Sequence, residues 1–203
     1  MTVVGYLGLS ANPRNMDALL TTFLSVFLAE MGDRTQILAA ALALRYHKNG
    51  AVLAGLACAT LLNCAISAAG GSVIDEWISE APLKLFAGLA YIFAGAGMLM
   101  WRRVVDPLSG WKTPAFVTAF LGLFILEFGD KSQFIIAAQS ARTPFWPMAA
   151  VGGFAGIMAA TIPAVILRER LAQIVPLKPI RWVSGALLLG WGLMLALQAT
   201  GLA

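Results

Sequence analysis

Charged residues are scarce in this sequence of 203 residues: they make up 12% of the chain, whereas 60% of its residues are hydrophobic. A soluble domain carries about a quarter of charged residues, which cover its surface with water-facing groups. With so few charges, lipid must be the solvent for much of this surface. The length allows about six membrane-spanning helices of roughly 20 residues each and leaves little for a separate soluble domain.

Several groups with recognisable chemistry are missing as well. The single histidine, His47, lies in a polar loop, which argues against a zinc or copper site. The chain has no Gly-x-Ser-x-Gly nucleophile motif and no His-Glu-x-x-His motif, so we expect neither an enzyme nor a resident cofactor. The two cysteines, Cys58 and Cys64, share one apolar segment and are interpreted as packing residues. Residues 1–16 lack the basic-then-apolar order of a cleaved signal peptide and are interpreted as a short polar tail.

Six apolar stretches can be marked off by charges, proline and glycine. Backbone groups in lipid must be hydrogen-bonded internally, so each stretch is predicted to be a helix. The fold class is therefore an all-α polytopic membrane protein with six transmembrane helices in a single membrane domain, residues 1–203. The predicted helices cover residues 18–44, 51–74, 83–101, 115–140, 146–167 and 181–201.

The basic residues predict the orientation of these helices. Nine of the 14 lysines and arginines fall in the connections that follow the first, third and fifth helices, and three fall on the opposite side. The side richer in lysine and arginine is normally cytoplasmic. We therefore expect a multi-pass protein with both termini outside the cytoplasm. Because the basic residues sit at segment ends and form no continuous stripe, the net charge of +4 does not indicate a nucleic-acid partner.

The first and fourth stretches are related in sequence. Residues 24–45 and 121–142 align without gaps at an offset of 97 residues, and nine of these 22 positions are identical. Each half then holds three helices, so the second half enters the membrane from the opposite side. We predict two inverted repeats, an arrangement typical of secondary transporters, with the site between the repeats near the midplane. Repeat one covers about residues 17–101, a cytoplasmic connection covers 102–114, and repeat two covers about 115–201.

Each of the two related stretches carries an acidic motif at its centre. A carboxylate at the middle of a bilayer costs at least ~2.5–3.5 kcal/mol, so four of them indicate a function. Residues three apart project from one helical face, and each motif adds a glutamine one turn further on. Such oxygen-only sets suit hard divalent cations. The predicted cation-binding residues are Glu30, Asp33, Gln36, Glu127, Asp130 and Gln133, with the four acids as metal ligands and the Thr35 and Ser132 hydroxyls as auxiliary groups.

The charges of the two motifs do not cancel. Four carboxylates contribute −4, and Arg34 with Lys131 contributes +2, which leaves −2. One divalent cation would neutralise this charge, and so would two protons, because closely spaced and poorly solvated carboxylates bind protons more readily. The balance predicts an exchanger of a metal ion for protons. Arg34 and Lys131 are counter-charges, either as ion pairs that lower the cost of insertion or as tethered cations that occupy the site when the metal leaves.

Glycines separate the two acids of each motif. Gly32 and Gly129 allow either a close approach of backbones or a local break in the helix. Asn63 and Thr161 lie at nearly equivalent places in the second and fifth helices, where an interhelical hydrogen bond is the favoured role. Gly152 and Gly156 are spaced for a helix contact, within the fold or between protomers.

The two motifs together resemble those of a known family. Residues 30–35 and 127–132 match the pattern E-x-G-D-[KR]-[TS], and the chain is similar to members of the Gdt family of cation/proton exchangers over nearly its whole length. The resemblance implies a transporter that exports a divalent cation, Mn²⁺ first and Ca²⁺ next, and that uses the four motif acids. The short central connection favours a bacterial plasma (inner) membrane. The implied partners are the metal ion, protons and the lipid bilayer, with a homo-oligomer left open.

Two other kinds of transport compete with this interpretation. A cationic amino-acid exporter would need a larger cavity and a group that recognises a carboxylate, a role that Arg34 or Lys131 could fill. A passive cation channel would use the same acids without coupling to protons.

Overall fold

A computed structural model describes residues 13–100 and 105–201. These residues form helices and short connections, with no strand among them, as the sequence predicts. The helices, numbered in chain order, are α1 Pro13–Glu30, α2 Arg34–Tyr46, α3 Asn49–Asp75, α4 Glu80–Leu99, α5 Ala115–Glu127, α6 Lys131–Ser140, α7 Pro147–Leu167, α8 Glu169–Ile174 and α9 Leu177–Ala199.

Four of these helices, α3, α4, α7 and α9, are long and apolar enough to cross a membrane, and α5 is a shorter apolar helix. Prolines mark several starts: Pro13 and Pro147 are the first residues of α1 and α7, where the missing N–H costs nothing. Pro114 directly precedes α5. The predicted second, third and fifth helices agree with α3, α4 and α7 to within about three residues.

Three sequence predictions need correction. The continuous helices expected over 18–44 and 115–140 are each divided, because Gly32 and Gly129 adopt left-handed backbone angles that end the helix. The last helix begins at Leu177 and not at residue 181. The expected tail over residues 1–16 is helical from Pro13 onwards, while residues 1–12 lie outside the described part of the chain, as do 101–104 in the central connection.

The long helices pack mainly between the two halves of the chain. Helix α1 packs on α7, α5 packs on α3, and α4 packs on α9, while α3 and α7 cross each other between these pairs. Gly152 and Gly156 face α1 so closely that an added Cβ would lie 2.4 Å from the Leu19 carbonyl and 2.8 Å from the Phe23 carbonyl, respectively. The predicted glycine contact is therefore made within the fold. These pairings bring the divided helices α1–α2 and α5–α6 against the centre of the molecule.

Candidate cation site

The two acidic motifs build the same turn. Helices α1 and α5 end at Glu30 and Glu127, and the next glycines have φ of +68° at Gly32 and +74° at Gly129. Glycine adopts this left-handed region without the penalty that a Cβ brings. In each motif the aspartate N–H then donates to the glutamate carbonyl at 3.0 Å, and the aspartate stands just before the next helix. Both glycines therefore form a local break, which is one of the two roles considered for them.

The two glutamines support this geometry. The Gly32 N–H donates to Gln36 Oε1 at 2.8 Å, and Gln36 Nε2 donates to the Ala160 carbonyl of α7 at 2.6 Å. Gln133 Oε1 accepts a hydrogen bond from the Ser67 hydroxyl of α3. Both amide oxygens, predicted as cation ligands, thus already accept hydrogen bonds from the protein. The Gln36 side chain thus links the first break to α7, and the Gln133 side chain links α6 to α3.

Three carboxyls from the two motifs meet in one buried group. Glu30, Asp33 and Asp130 each offer an oxygen, and these atoms lie within 4.8 Å of one another. Glu30 is completely buried, Asp33 is buried and Asp130 is partly buried. We call these three residues the acidic cluster. It takes two acids from the first half and one from the second, so neither half forms it alone.

The two counter-charges are placed differently. Lys131 Nζ contacts Asp33 and lies 2.9 Å from Asp130 Oδ2 and 3.5 Å from Glu30 Oε1, so it touches every member of the acidic cluster. Among the described acids, Arg34 reaches one, Asp130, whose Oδ1 lies 3.2 Å from the guanidinium. The Lys131 side chain is 6% exposed and the Arg34 side chain 42%. One counter-charge is inside the site and the other is at its edge.

The fourth motif acid, Glu127, is buried beside the acidic cluster. Neither of its carboxyl oxygens has a hydrogen-bond partner among the described residues. It interacts electrostatically with Glu30, and the Thr35 side chain lies near both glutamates. The buried Ser132 hydroxyl likewise has no hydrogen-bond partner within the described ranges. A buried carboxyl in such surroundings needs either a proton or a bound cation to be stable.

The two breaks differ in how they are covered. At Gly32, an added Cβ would lie 3.1 Å from the Leu177 carbonyl and 3.5 Å from Arg181 Cβ, at the start of α9. Arg181 also interacts electrostatically with Asp33, a contact that the sequence did not predict. At the exposed Gly129, an added Cβ would meet nothing within 4 Å among the described residues. Helix α9 therefore covers the first break, whereas no described residue covers Gly129 of the second.

Neighbouring polar residues complete the site. Asn63 Nδ2 donates to the Phe124 carbonyl of α5 at 3.2 Å, so the predicted interhelical hydrogen bond is present. The Thr161 hydroxyl is buried without a partner in the described part of the chain. The sequence did not predict Ser67 or the Ala160 carbonyl as part of the site. A single serine and a backbone oxygen in apolar helices form no recognisable sequence motif. The repeat offers one signal, since Ser67 and Ala160 meet the equivalent glutamines Gln133 and Gln36.

Comparison with known proteins gives one family. The family model described as divalent cation/proton antiporter GDT1 matches residues 18–105 and again 115–202. A Vibrio cholerae serotype O1 protein named "Putative manganese exporter" is 34% identical over 181 residues, which cover 86% of this chain and 88% of the relative. "GDT1-like protein 3" of Arabidopsis thaliana is 28% identical over 93% of this chain and 75% of its own length. No solved structure matches.

Proposed function

The chain belongs to the GDT1 family of divalent cation/proton antiporters, and from this premise we propose that it exports Mn²⁺, with Ca²⁺ as the second candidate, in exchange for protons. The match confirms the resemblance found in the paired motifs, and it describes a transporter class and not an enzyme class. Manganese is favoured over calcium because the Vibrio relative is named for that metal and covers most of both chains.

The acidic cluster is the observation that carries the proposal. Its three carboxyls converge from the two halves, and a fourth, Glu127, is buried next to them. Carboxylate oxygens are the ligands that Mn²⁺ and Ca²⁺ take in proteins. Glu30, Asp33, Asp130 and Glu127 bind the metal in this proposal, Thr35 and Ser132 are auxiliary groups, and Gln36 and Gln133 act from the surrounding shell.

Proton exchange follows from the charge of the same residues. With Arg34 and Lys131 charged, the four acids leave a net −2, which one divalent cation or two protons neutralise. Moving a neutral site through the low-dielectric interior of a membrane protein costs much less free energy than moving a charged one. The metal-loaded and the doubly protonated forms are therefore the two forms of the protein that change conformation. A protein that changes conformation only in these two forms exchanges the metal ion for protons.

The proposed architecture is a pair of inverted three-helix repeats, 17–101 and 115–201, in which α1–α2 and α5–α6 each count as one divided span. Two features support it. The same family model matches twice, once in each half. Two pairs of helix starts also keep the repeat offset of 97 residues: α2 and α6 begin at Arg34 and Lys131, and α4 and α9 begin at Glu80 and Leu177. The protein is placed in the bacterial inner membrane with both termini outside.

Transport by the purified protein in lipid vesicles tests the function. We expect Mn²⁺ entry to drive proton exit in vesicles that contain a pH-sensitive dye, with weaker responses to Ca²⁺ and Mg²⁺. No proton movement with any of the three ions would reject the proposal. Competition by excess lysine would indicate a cationic amino-acid exporter, and a voltage-driven current without proton movement would indicate a passive channel.

A further inference from the structure

The position of Lys131 suggests a role beyond lowering the cost of burying acids. We propose that the Lys131 ammonium is a built-in substitute for the transported metal ion, which occupies the acidic cluster when the metal is absent and must be displaced when the metal binds. The inference rests on the proposed function, because it assumes that the acidic cluster is the metal site.

The contacts of Lys131 fit a competitor better than a simple ion pair. An ion pair needs one acid for each base, and Arg34 already pairs with Asp130. Lys131 instead contacts all three carboxyls of the acidic cluster, two of which come from the other half of the chain. Its Nζ thus lies within 3.5 Å of an oxygen of each of the three carboxyls. An ammonium is also a compact point charge, which resembles a metal ion more closely than a planar guanidinium does.

The lysine stem makes displacement possible without unfolding the site. Lys131 is the first residue of α6, directly after the break at Gly129. The backbone there is fixed by the Asp130 N–H bond to Glu127, while the four-carbon stem of the side chain keeps its rotational freedom. Gly129 and Phe128 beside this turn are exposed, and an added Cβ on Gly129 would meet no described residue within 4 Å. A metal ion can therefore take the carboxylates while the ammonium moves aside.

A substitute cation explains how the carrier returns without metal. When the metal leaves, the ammonium moves back and keeps the three carboxylates from repelling one another at close range. It also excludes other cations from the cluster, which ties release of the metal to the arrival of protons at the remaining charge. Lys131 is in this view a specificity-determining residue for the exchange.

Two charge-matched variants compare the cation inside the acidic cluster with the cation at its edge. Lys131→Gln and Arg34→Gln each remove one positive charge from the same site, but only the first removes the group inside the acidic cluster. We expect Lys131→Gln to bind Mn²⁺ about tenfold more tightly than Arg34→Gln, because a cation in direct contact with the carboxylates interacts more strongly than one at the edge. Binding is measured by the loss of the free Mn²⁺ electron paramagnetic resonance signal in purified protein.

Thermal unfolding and transport provide independent readouts. Added Mn²⁺ should raise the unfolding temperature of Lys131→Gln more than that of Arg34→Gln. In vesicles, Lys131→Gln should retain exchange of Mn²⁺ for Mn²⁺ and lose net export against protons. Equal Mn²⁺ affinity in the two variants, or weaker binding in Lys131→Gln, would overturn the inference.

A second pair of variants keeps every charge and so protects the fold. Lys131→Arg places a larger, bidentate group in the acidic cluster, and Arg34→Lys is its mirror change at the edge. We expect about tenfold weaker Mn²⁺ binding in Lys131→Arg, since carboxylates hold a guanidinium fork more firmly, and a smaller change in Arg34→Lys, whose side chain contacts one carboxyl of the cluster. Equal effects in this pair contradict the inference. If the two variants behave alike while the unmodified protein still exchanges Mn²⁺ for protons, the proposed role of Lys131 is rejected and the proposed function is retained.

Discussion

The four carboxyls of the two motifs differ in what surrounds them. Asp33 and Asp130 contact Lys131, and Glu30 lies 3.5 Å from the same ammonium. Neither Glu30 nor Glu127 has a hydrogen-bond partner among the described residues, and Glu127 makes no ion pair with any of them. The sequence predicted that carboxylates from the two motifs meet, because burying a carboxylate in an apolar helix is costly and indicates a function. The sequence could not predict the different surroundings of these carboxyls, because Arg34 and Lys131 occupy equivalent positions in the two motifs. In the structure only Lys131 is buried.

Replacing Asp33 tests the site at this scale. Asp33→Asn keeps the shape of the side chain and removes one charge of the acidic cluster, so Mn²⁺ transport should fall by more than about 100-fold, the upper range for losing an outer-shell group. The matched control is Glu76→Gln, which removes an exposed acid after α3. Both proteins are reconstituted and Mn²⁺ uptake is measured. Full transport by Asp33→Asn would place the site elsewhere.

The two glycines allow a comparison of local strain and contact. Gly32→Ala and Gly129→Ala both put a Cβ on a left-handed residue, which costs about 1–2 kcal/mol. Only Gly32→Ala also places that Cβ 3.1 Å from the Leu177 carbonyl. We expect a lower unfolding temperature for Gly32→Ala than for Gly129→Ala in the same detergent. An equal loss in both variants would mean that α9 does not close the first break.

At the scale of elements, the divided helices are the main departure from the sequence prediction. Apolar content and length predicted α3, α4 and α7 well, because these helices are uninterrupted. The same signals run through residues 18–44 and 115–140 without a gap, since the breaks occupy only three residues, of which one is glycine. Whether a glycine in a helix serves packing or a break depends on its neighbours in space. For Gly32 those neighbours are Gln36, α7 and α9. The two helices are distant in the sequence, and a glutamine near the motif does not by itself indicate a break.

Gln36 provides a test of what stabilises the first break. Gln36→Leu removes the acceptor for the Gly32 N–H and the donor to the Ala160 carbonyl, and the unsatisfied buried groups should cost about 1–3 kcal/mol. Gln198→Leu, at an exposed position near the end of α9, is the matched control. The free energy of unfolding of both variants is measured by denaturant titration in micelles. If the two changes cost the same, Gln36 does not hold the break.

At the scale of the whole molecule, the two halves are interlocked. Six of the described helices find their main partner in the other half: α1 with α7, α5 with α3, and α4 with α9. The sequence predicted two halves from their shared motif, and the family model recognises both. It could not predict the pairings, because lipid-facing and protein-facing sides of a membrane helix are both apolar. It also gave no sign that α9 covers the first break, whereas no described residue covers Gly129 of the second.

The orientation of the molecule can be tested with single cysteines. In a variant with Cys58 and Cys64 replaced by alanine, Ser109→Cys lies in the central connection and Glu76→Cys follows α3, and both positions are exposed. The distribution of lysine and arginine places residue 109 in the cytoplasm and residue 76 outside. Glu76→Cys should therefore react with a membrane-impermeant thiol reagent in intact cells, and Ser109→Cys only after permeabilisation. The reverse pattern would invert the proposed direction of transport.

The divided helices also bring four helix ends to the centre of the molecule. Helices α1 and α5 end at Glu30 and Glu127, and α2 and α6 begin directly after Asp33 and Asp130. The C-terminal end of a helix carries partial negative charge from its free carbonyls, and the N-terminal end carries partial positive charge. The ends of α1 and α5 therefore attract a cation, while the starts of α2 and α6 stabilise the aspartates that are proposed to bind it. Part of the field at this site comes from the backbone, and no side-chain substitution removes it.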